Sequence, residues 1–255
     1  MKTLLLAAGL GTRLGKLSEK LPKCLMPIGD FPLLSYWIDS ILNIKCPLII
    51  INTHYQANLV SNFIGSLHLG SLVKISYENH LLGTAGTIRN NANEYQLEPL
   101  LVIHADNWCP CDLGDFVKSH NVSLQKNCLI TMMTFNCDNP ELCGIVEVNS
   151  SGIVHKIYEK TKNAKSTLAN GAIYILDPFV VQWIVDRPEI TDFSTEVLPH
   201  FLGRISTWHN SNVLRDIGSP EALIKAQFDP KPIIKHQIPD WLLNLHHEVK
   251  GQLLP

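Results

Sequence analysis

The sequence lacks any long apolar run: no stretch of its 255 residues approaches the ~20 consecutive apolar residues that a membrane-spanning helix needs. The apolar run at the N-terminus ends at Ala8 and is too short for a signal peptide. The seven cysteines are an odd number and lack the spacing of a disulfide framework, which favours reduced thiols. These absences predict a cytoplasmic protein with no membrane partner.

The sequence also lacks an excess of charge of either sign. Its formal net charge of -2 gives no broad attraction to nucleic acid, so no nucleic-acid partner is predicted. Apolar residues make up 45% and charged residues 17%, as in a globular protein. Cys109 and Cys111 form the one close cysteine pair. Because no second Cys or His pair stands at zinc-site spacing, the sequence does not favour a zinc site.

Two patterns of apolar residues follow each other along the chain. In the first half, apolar residues at helical spacing separate predicted strands at 2–8, 47–52, 72–77 and 100–104. In the second half, short strands are predicted at 128–134, 145–148, 153–158 and 172–176, with a turn over 149–152. This order predicts an α/β fold: a Rossmann-like mixed, mostly parallel sheet flanked by helices, with a strand-rich second half.

No repeat or linker divides the chain, so we expect one domain over residues 1–228 and a C-terminal extension over 229–255. The extension contains Trp241, Leu242, Leu243 and Leu245, which predict that it packs on the domain or forms a homodimer contact. It has no hexapeptide repeats, and a second activity is therefore not expected.

A glycine-rich turn, LAAGLGTRLG over residues 6–15, follows the first predicted strand. The third glycine comes one place too late for a dinucleotide fingerprint, and no Gly-Lys-Ser/Thr sequence occurs for a P-loop. Free backbone N–H groups in such a turn can bind an anion, and Arg13 and Lys23 would add positive charge. The alternative is a tight turn with solvated charges. The combination of strand, glycines, arginine and Pro-Lys pair favours a nucleotide site.

The stretches LAAGLGTRL and LPKCLMPI resemble the signature of the sugar-1-phosphate nucleotidyltransferases, and further blocks of the same family follow in order up to about residue 227. Cys24 stands where the family usually has proline. The resemblance implies the nucleotide-diphospho-sugar transferase type of the fold, catalytic roles for Arg13 and Lys23, and a Mg²⁺ ion on Asp106 and Asp216. It also implies that the nucleotide is bound by the loop residues Ala8, Gly9, Gly11 and Thr12.

The resemblance implies that two further sequence blocks bind the nucleobase and the sugar. In LLGTAGTI (81–88), Gly83, Thr84 and Gly86 would line the nucleobase and sugar pocket; the alternative is a helix N-terminus capped by Thr84. On the sugar side the resemblance implies Gly144, Glu159, Lys160 and Asn170. Without it, Glu159 and Lys160 would be an ordinary exposed charge pair.

The resemblance implies transfer of a nucleotidyl group from an NTP to a sugar 1-phosphate, with release of pyrophosphate. The LGTAG block is more similar to guanylyl- and uridylyltransferases than to thymidylyl enzymes. We therefore expect GTP with a mannose- or heptose-type 1-phosphate, and UTP and dTTP stay as alternatives. A catalytically weak nucleotide-sugar-binding regulatory subunit on the same fold is a further alternative. The sequence gives no role for Arg215.

Overall fold

The computed structural model describes residues 1–95, 97–160 and 166–253. Residues 161–163, which belong to the predicted sugar-side block, and residues 254–255 of the predicted extension lie outside the described residues. The chain forms two compact units. Unit 1 contains Met1–Leu4, Leu82–Ile103 and Asp112–Asn212, and unit 2 contains Leu5–Leu81, His104–Cys111 and Val213–Pro255.

The described residues form strands and helices of short to moderate length. The strands are β1 (Lys2–Leu6), β2 (Pro27–Ile28), β3 (Phe31–Pro32), β4 (Ile49–Thr53), β5 (Val73–Tyr77), β6 (Leu100–His104), β7 (Asn107–Trp108), β8 (Ile130–Asn136), β9 (Gly144–Val148), β10 (Val154–Glu159), β11 (Leu168–Leu176), β12 (Ile205–His209) and β13 (Arg215–Asp216). The helices are α1 (Lys16–Lys20), α2 (Leu33–Asn43), α3 (Ala57–Ser66), α4 (Thr84–Asn90), α5 (Ala92–Tyr95), α6 (Leu113–Gln125), α7 (Pro178–Val185), α8 (Pro220–Phe228) and α9 (Asp240–Leu253).

In unit 2, β4 pairs with β5 in parallel from Ile49 opposite Val73 onwards. All five residues of β4 are buried, as expected for a parallel strand covered on both faces. Helix α2 contributes Trp37, Ile38 and Ile41 to this core, each no more than 2% exposed. The carboxyl ends of these strands carry the loops described below.

In unit 1, the strand order is β10-β9-β11-β6, and β8 pairs with β11 and β12. The β9–β10 hairpin closes through the predicted turn at 149–152, where Gly152 N donates to Asn149 O at 3.0 Å. Gly152 takes φ +73°, which glycine adopts without steric cost. In β11 the register shifts between Asn170 and Tyr174, and Ala172 within that interval has φ +54°.

The predicted α/β class, with a mixed sheet flanked by helices and a strand-rich half, is confirmed. In that half β9 pairs antiparallel with β10, and β11 pairs antiparallel with β8. Helix α6 and strand β12 were not expected. In α6 only Leu113, Phe116, His120 and Ser123 are buried, so polar residues obscure its apolar face. Strand β11 begins at Leu168, four residues before the predicted start, because the bulge at residues 170–174 interrupts the alternation of its side chains.

The C-terminal residues belong to unit 2, where α9 contacts α1 and β2. Leu242 and Val249 on this helix are fully buried. The division of the chain at residue 228 and the alternative homodimer contact stay predictions. Among the residues that the structure describes, no helix is both long and apolar enough to cross a membrane.

Candidate functional site

Four charged side chains meet in unit 2: Arg13, Lys23, Asp106 and Asp216. Lys23 Nζ donates to Asp106 Oδ2 at 2.6 Å and to Asp216 Oδ1 at 2.7 Å. Arg13 Nη2 donates to Asp216 Oδ2 at 2.7 Å. The structure therefore brings together the residues for which catalysis and metal binding were predicted. Their roles in the reaction stay predictions.

Lys23 is the buried member of this cluster. Its side chain is 9% exposed, whereas that of Arg13 is 67% exposed. Burial alone would lower the pKa of Lys23, but the two carboxylates that it contacts raise that pKa above its usual value. Burial would raise the pKa of Asp216, and its contacts with Lys23 and Arg13 outweigh that effect and lower it. Lys23 and Asp216 are therefore both charged at neutral pH.

The position of Lys23 follows from the local sequence. Pro22, with φ -65° and ψ 151°, leads into a single 3₁₀ turn over Lys23–Leu25, and Leu25 N donates to Pro22 O at 2.8 Å. Cys24, at the position where the family usually has proline, is 1% exposed. Burial, together with the charge of Asp106, raises the pKa of the Cys24 thiol to about 12. This thiol is therefore neutral at physiological pH and buried in the protein core.

A two-stranded ladder explains why two distant aspartates meet. Strands β7 and β13 pair antiparallel, with Asp216 opposite Asn107, and Ile217 N donates to Asp106 O at 3.2 Å. Trp37 Nε1 donates to Asn107 O at 2.9 Å and anchors the ladder to helix α2. These hydrogen bonds fix the backbone of both segments, so that both carboxylates contact the ammonium group of Lys23.

Gly218 makes room for Arg13. A Cβ atom built on Gly218 would lie 2.4 Å from Arg13 Nη2, 2.8 Å from Arg13 Cζ and 2.9 Å from Asp216 Oδ1. The guanidinium group thus packs directly on the glycine backbone while it bonds Asp216. This hydrogen bond and the charge of Asp216 raise the pKa of Arg13 above its usual value. No role for Gly218 was predicted from the sequence.

Residues C-terminal to β13 contact both β13 and the turn that carries Lys23. Arg215, for which the sequence gave no role, forms a bidentate ion pair with Asp229, with Nε–Oδ2 and Nη2–Oδ1 distances of 3.1 Å. From α9, His246 Nε2 donates to Leu25 O at 3.0 Å. Leu25 ends the 3₁₀ turn that begins with Lys23, so the C-terminal helix supports the turn that carries the lysine.

The glycine loop after β1 is anchored by a side chain that the sequence did not single out for this role. Ala7 N donates to Asn52 Oδ1 at 2.7 Å, and Asn52 Nδ2 donates to Glu78 Oε1 at 2.9 Å. Both Asn52 and Glu78 are buried, at 3% exposure each. This chain of contacts ties the start of the loop to the carboxyl ends of β4 and β5.

The loop itself runs from the buried Ala8 to the exposed residues Gly9 and Thr12. Gly11 takes φ +66° and precedes a 3₁₀ turn over Thr12–Leu14, in which Leu14 N donates to Gly11 O at 2.9 Å. A Cβ on Gly9 would meet nothing within 4 Å. The loop therefore presents backbone to its surroundings, as an anion-binding turn requires.

In unit 1, the predicted nucleobase block packs against a segment that sequence reasoning missed. Helix α4 begins after Gly83, whose φ is +76°, and a Cβ there would lie 2.4 Å from Thr191 O. Thr84 does not cap the helix; its Oγ1 accepts a hydrogen bond from Phe193 N at 2.7 Å. A Cβ on Gly86 would lie 3.1 Å from Leu82 Cβ. The small residues of this block thus allow close backbone packing.

The predicted sugar-side residues also lie in unit 1. A Cβ on Gly144 would lie 3.0 Å from Glu159 Oε1, so the glycine leaves space for this carboxylate. Burial raises the pKa of Glu159, and its neighbour Lys160 acts in the opposite direction. Lys160 is exposed and has φ +42°. Asn170 Nδ2 donates to the hydroxyl of Tyr174 at 2.6 Å.

The donor chemistry of Asp106 and Asp216 fits a Mg²⁺ ion, because a hard cation prefers carboxylate oxygens. Oxygens of both residues lie within hydrogen-bond distance of one Lys23 Nζ atom, so both carboxylates already face a common positive charge. Over the described ranges, no group of three or more His, Cys, Asp and Glu side chains could hold a metal ion by itself. The phosphates of a substrate and water would have to complete the coordination.

Comparison with known proteins places the chain in a family. The model of the family described as "Nucleotidyl transferase" matches residues 2–231. Mannose-1-phosphate guanyltransferase beta-A of Xenopus laevis is 26% identical over 250 residues, which cover 95% of this chain and 68% of that protein. The mannose-1-phosphate guanyltransferase of Schizosaccharomyces pombe is 27% identical over 232 residues, or 87% of this chain and 62% of that protein. For relatives from rice, the chain spans 55% of their length.

A solved structure agrees with this. HddC from Yersinia pseudotuberculosis, which has also been crystallised complexed with GMP-PN, is 28% identical. Its TM-score is 0.74, and the match covers 89% of this chain and 97% of HddC. The family resemblance read from the sequence is thereby confirmed. Because the family model matches nearly its whole length, the chain belongs to the nucleotidyl transferase family.

Proposed function

We propose that this protein transfers a nucleotidyl group from an NTP to a sugar 1-phosphate and releases pyrophosphate. The observation that carries the proposal is the convergence of Arg13 and Lys23 with Asp106 and Asp216 in a chain of the nucleotidyl transferase family. In the reaction, a phosphate oxygen of the sugar 1-phosphate attacks the α-phosphorus of the NTP. The bond between the α-phosphorus and the bridging oxygen breaks, and pyrophosphate leaves.

The attacking phosphate needs no general base, since its second pKa is about 6 and it is mostly dianionic at neutral pH. The barrier to be lowered is the repulsion between two anionic substrates. Arg13, exposed and carrying a planar fork of donors, would bind the departing β- and γ-phosphates together with the N–H groups of the loop at Gly9 and Gly11. Lys23, fixed between two carboxylates, would align the phosphates for in-line attack.

Asp106 and Asp216 would hold the Mg²⁺ ion, which when bound neutralises phosphate charge and orients the reacting oxygens. In the cluster as it stands, two basic groups balance two carboxylates. The carboxylates therefore have no surplus negative charge to repel an incoming triphosphate. Lys160 would neutralise the sugar phosphate. Glu159 would accept hydrogen bonds from sugar hydroxyls, and Asn170 would donate hydrogen bonds to them or accept hydrogen bonds from them.

For the substrates we propose GTP and a mannose- or heptose-type 1-phosphate. Two observations support this choice: relatives bear the name mannose-1-phosphate guanyltransferase, and HddC has been crystallised with GMP-PN. Gly83, Thr84 and Gly86 would line the base. We also propose a cytoplasmic location, where both substrates would be made.

The test is a pyrophosphate-release assay with four NTPs against a panel of sugar 1-phosphates in the presence of Mg²⁺. We expect the highest kcat/KM with GTP and a mannose- or heptose-type acceptor. Highest turnover with UTP or dTTP would overturn the substrate choice and leave the reaction standing. Nucleotide binding without turnover for any pair would refute the reaction and support the alternative, a regulatory subunit.

A further inference from the structure

The Glu196 carboxylate bonds the first residues of the turn formed by residues 191–196 in unit 1, here called the 191–196 turn. Glu196 Oε2 accepts hydrogen bonds from Asp192 N at 2.7 Å, from Thr191 N at 2.9 Å and from Thr191 Oγ1 at 3.3 Å. These backbone N–H groups lower the pKa of Glu196, so it is ionised at neutral pH. The turn is further closed by Asp192 Oδ1, which accepts from Thr195 N at 2.8 Å.

The fixed end of this turn enters the block predicted to bind the nucleobase. Thr191 O accepts from Ala85 N at 2.9 Å and from Gly86 N at 3.4 Å, and so satisfies N–H groups in the first turn of α4. Phe193 N donates to Thr84 Oγ1 at 2.7 Å. The backbone of Ala85 and Gly86 and the hydroxyl of Thr84 are thus bonded to the 191–196 turn, and Glu196 bonds the N–H groups of Thr191 and Asp192 at the start of this turn.

The same turn reaches the sugar-side residues. The rings of Phe193 and Tyr174 lie 4.8 Å apart, and the Tyr174 hydroxyl accepts from Asn170 Nδ2 at 2.6 Å. The 191–196 turn therefore touches both predicted substrate blocks of unit 1. Among these contacts, those with Ala85 and Gly86 are backbone hydrogen bonds, and that with Thr84 is a hydrogen bond to its side-chain hydroxyl. The contact with the sugar side runs through the rings of Phe193 and Tyr174. We expect the turn to govern the nucleobase block more strongly.

We propose that Glu196 is a positioning residue for nucleotide recognition: by fixing the Thr191 carbonyl, it sets the backbone of residues 83–86 in the geometry that accepts the base. This inference rests on the proposed function. Glu196 does not itself need to touch a substrate. Because its carboxylate is exposed, its loss should change global stability little, and the effect should appear in substrate recognition instead.

The experiment compares Glu196→Ala and Glu196→Gln with the control Glu189→Gln, which removes the same charge from an exposed side chain two residues before Thr191. For Glu196→Ala we expect KM for the NTP to rise about tenfold, the KM for the sugar 1-phosphate to change less than twofold, and discrimination between NTPs to fall. Glu196→Gln, which keeps an acceptor oxygen, should lie between Ala and wild type. The control should match wild type.

Equal increases in both KM values, or none, would overturn the proposal while the wild-type activity still supports the reaction itself. If the wild type has no turnover, nucleotide affinity measured by calorimetry replaces KM, with the same expected ratio. A second variant perturbs the same contact from the other side, and urea unfolding of every variant reports separately on the fold. Gly83→Ala drives a Cβ toward Thr191 O and should also raise KM for the NTP. If Glu196 acts through Thr191, the double variant should be no worse than the worse single variant; additive losses would refute the pathway.

Discussion

Replacing Gly218 by alanine should reduce turnover and leave the stability of the fold nearly unchanged. The added methyl group would occupy space that the Arg13 guanidinium now fills. The required shift is large for the arginine: the new Cβ would lie 2.4 Å from Nη2 and 2.8 Å from Cζ, well inside van der Waals contact. The φ angle of Gly218 is not in the left-handed region, so alanine fits its backbone. The far end of a flexible side chain moves at low cost, and we expect Arg13 to leave Asp216.

The expected effect of Gly218→Ala on the free energy of unfolding is much smaller than its expected effect on kcat. The Arg13–Asp216 pair lies at the surface, with the arginine side chain 67% exposed, and such pairs contribute about 0–1 kcal/mol to folding. The free energy of unfolding should therefore change by less than about 1 kcal/mol. A misplaced donor to the departing phosphates costs about 10²–10³ in kcat in comparable sites. Gly218→Ala should thus lose most of its turnover and keep its fold.

The assay is pyrophosphate release at saturating NTP and Mg²⁺, alongside urea unfolding of the same preparations. Gly65→Ala in helix α3 is the matched control, since a Cβ there meets nothing within 4 Å. Arg13→Ala and the double variant complete a cycle, in which the double variant should be no slower than Arg13→Ala alone. Wild-type turnover in Gly218→Ala, with Arg13→Ala inactive, would refute the reasoning that Gly218 sets the position of the arginine.

Three further predictions concern other parts of unit 2. Asp216→Asn should abolish turnover with the fold intact, and EDTA should do the same to the wild type in a way that added Mg²⁺ reverses; activity that survives either change would contradict the metal assignment. Burial lowers the pKa of His246 to about 4, so between about pH 6.5 and 4 the unfolded chain takes up a proton that the folded protein does not. Stability should fall by about 3 kcal/mol as pH decreases through this window, and much of this loss should be absent in His246→Gln when urea unfolding is followed against pH. Arg215→Lys should lower the free energy of unfolding by about 1–2 kcal/mol by breaking the bidentate pair with Asp229, whereas Arg204→Lys at an exposed site should not.

Much of the cluster in unit 2 could be predicted because side chains carry its chemistry. Lys23, Asp106 and Asp216 each stand in a recognisable sequence block, and strands deliver them to one place. Thr191 could not be found in this way, since it acts through its backbone carbonyl, which every residue possesses. Glu196 looks like an ordinary exposed carboxylate until the turn that it closes is known.

The fold, too, could be predicted from the sequence only in part. The order of strands and helices in the first half follows from apolar periodicity, and the predicted α/β class holds. Helix α6 was not predicted because most of its residues are not buried and its buried face includes the polar residues His120 and Ser123. Asn52 was visible only as the residue at the end of a strand; its hydrogen bond to Ala7 N depends on the pairing of strands that local sequence does not encode.

The ladder of β7 and β13 also bears on when the protein becomes functional during synthesis. Lys23 and Asp216 are separated by 193 residues, so the contact between them cannot form until β13 has been synthesised. Contacts of such long range form late and slow the completion of folding. An incomplete chain that stops before β13 would carry the glycine loop and Lys23 with only one carboxylate. On the proposed function, a chain that ends before β13 should therefore show no turnover.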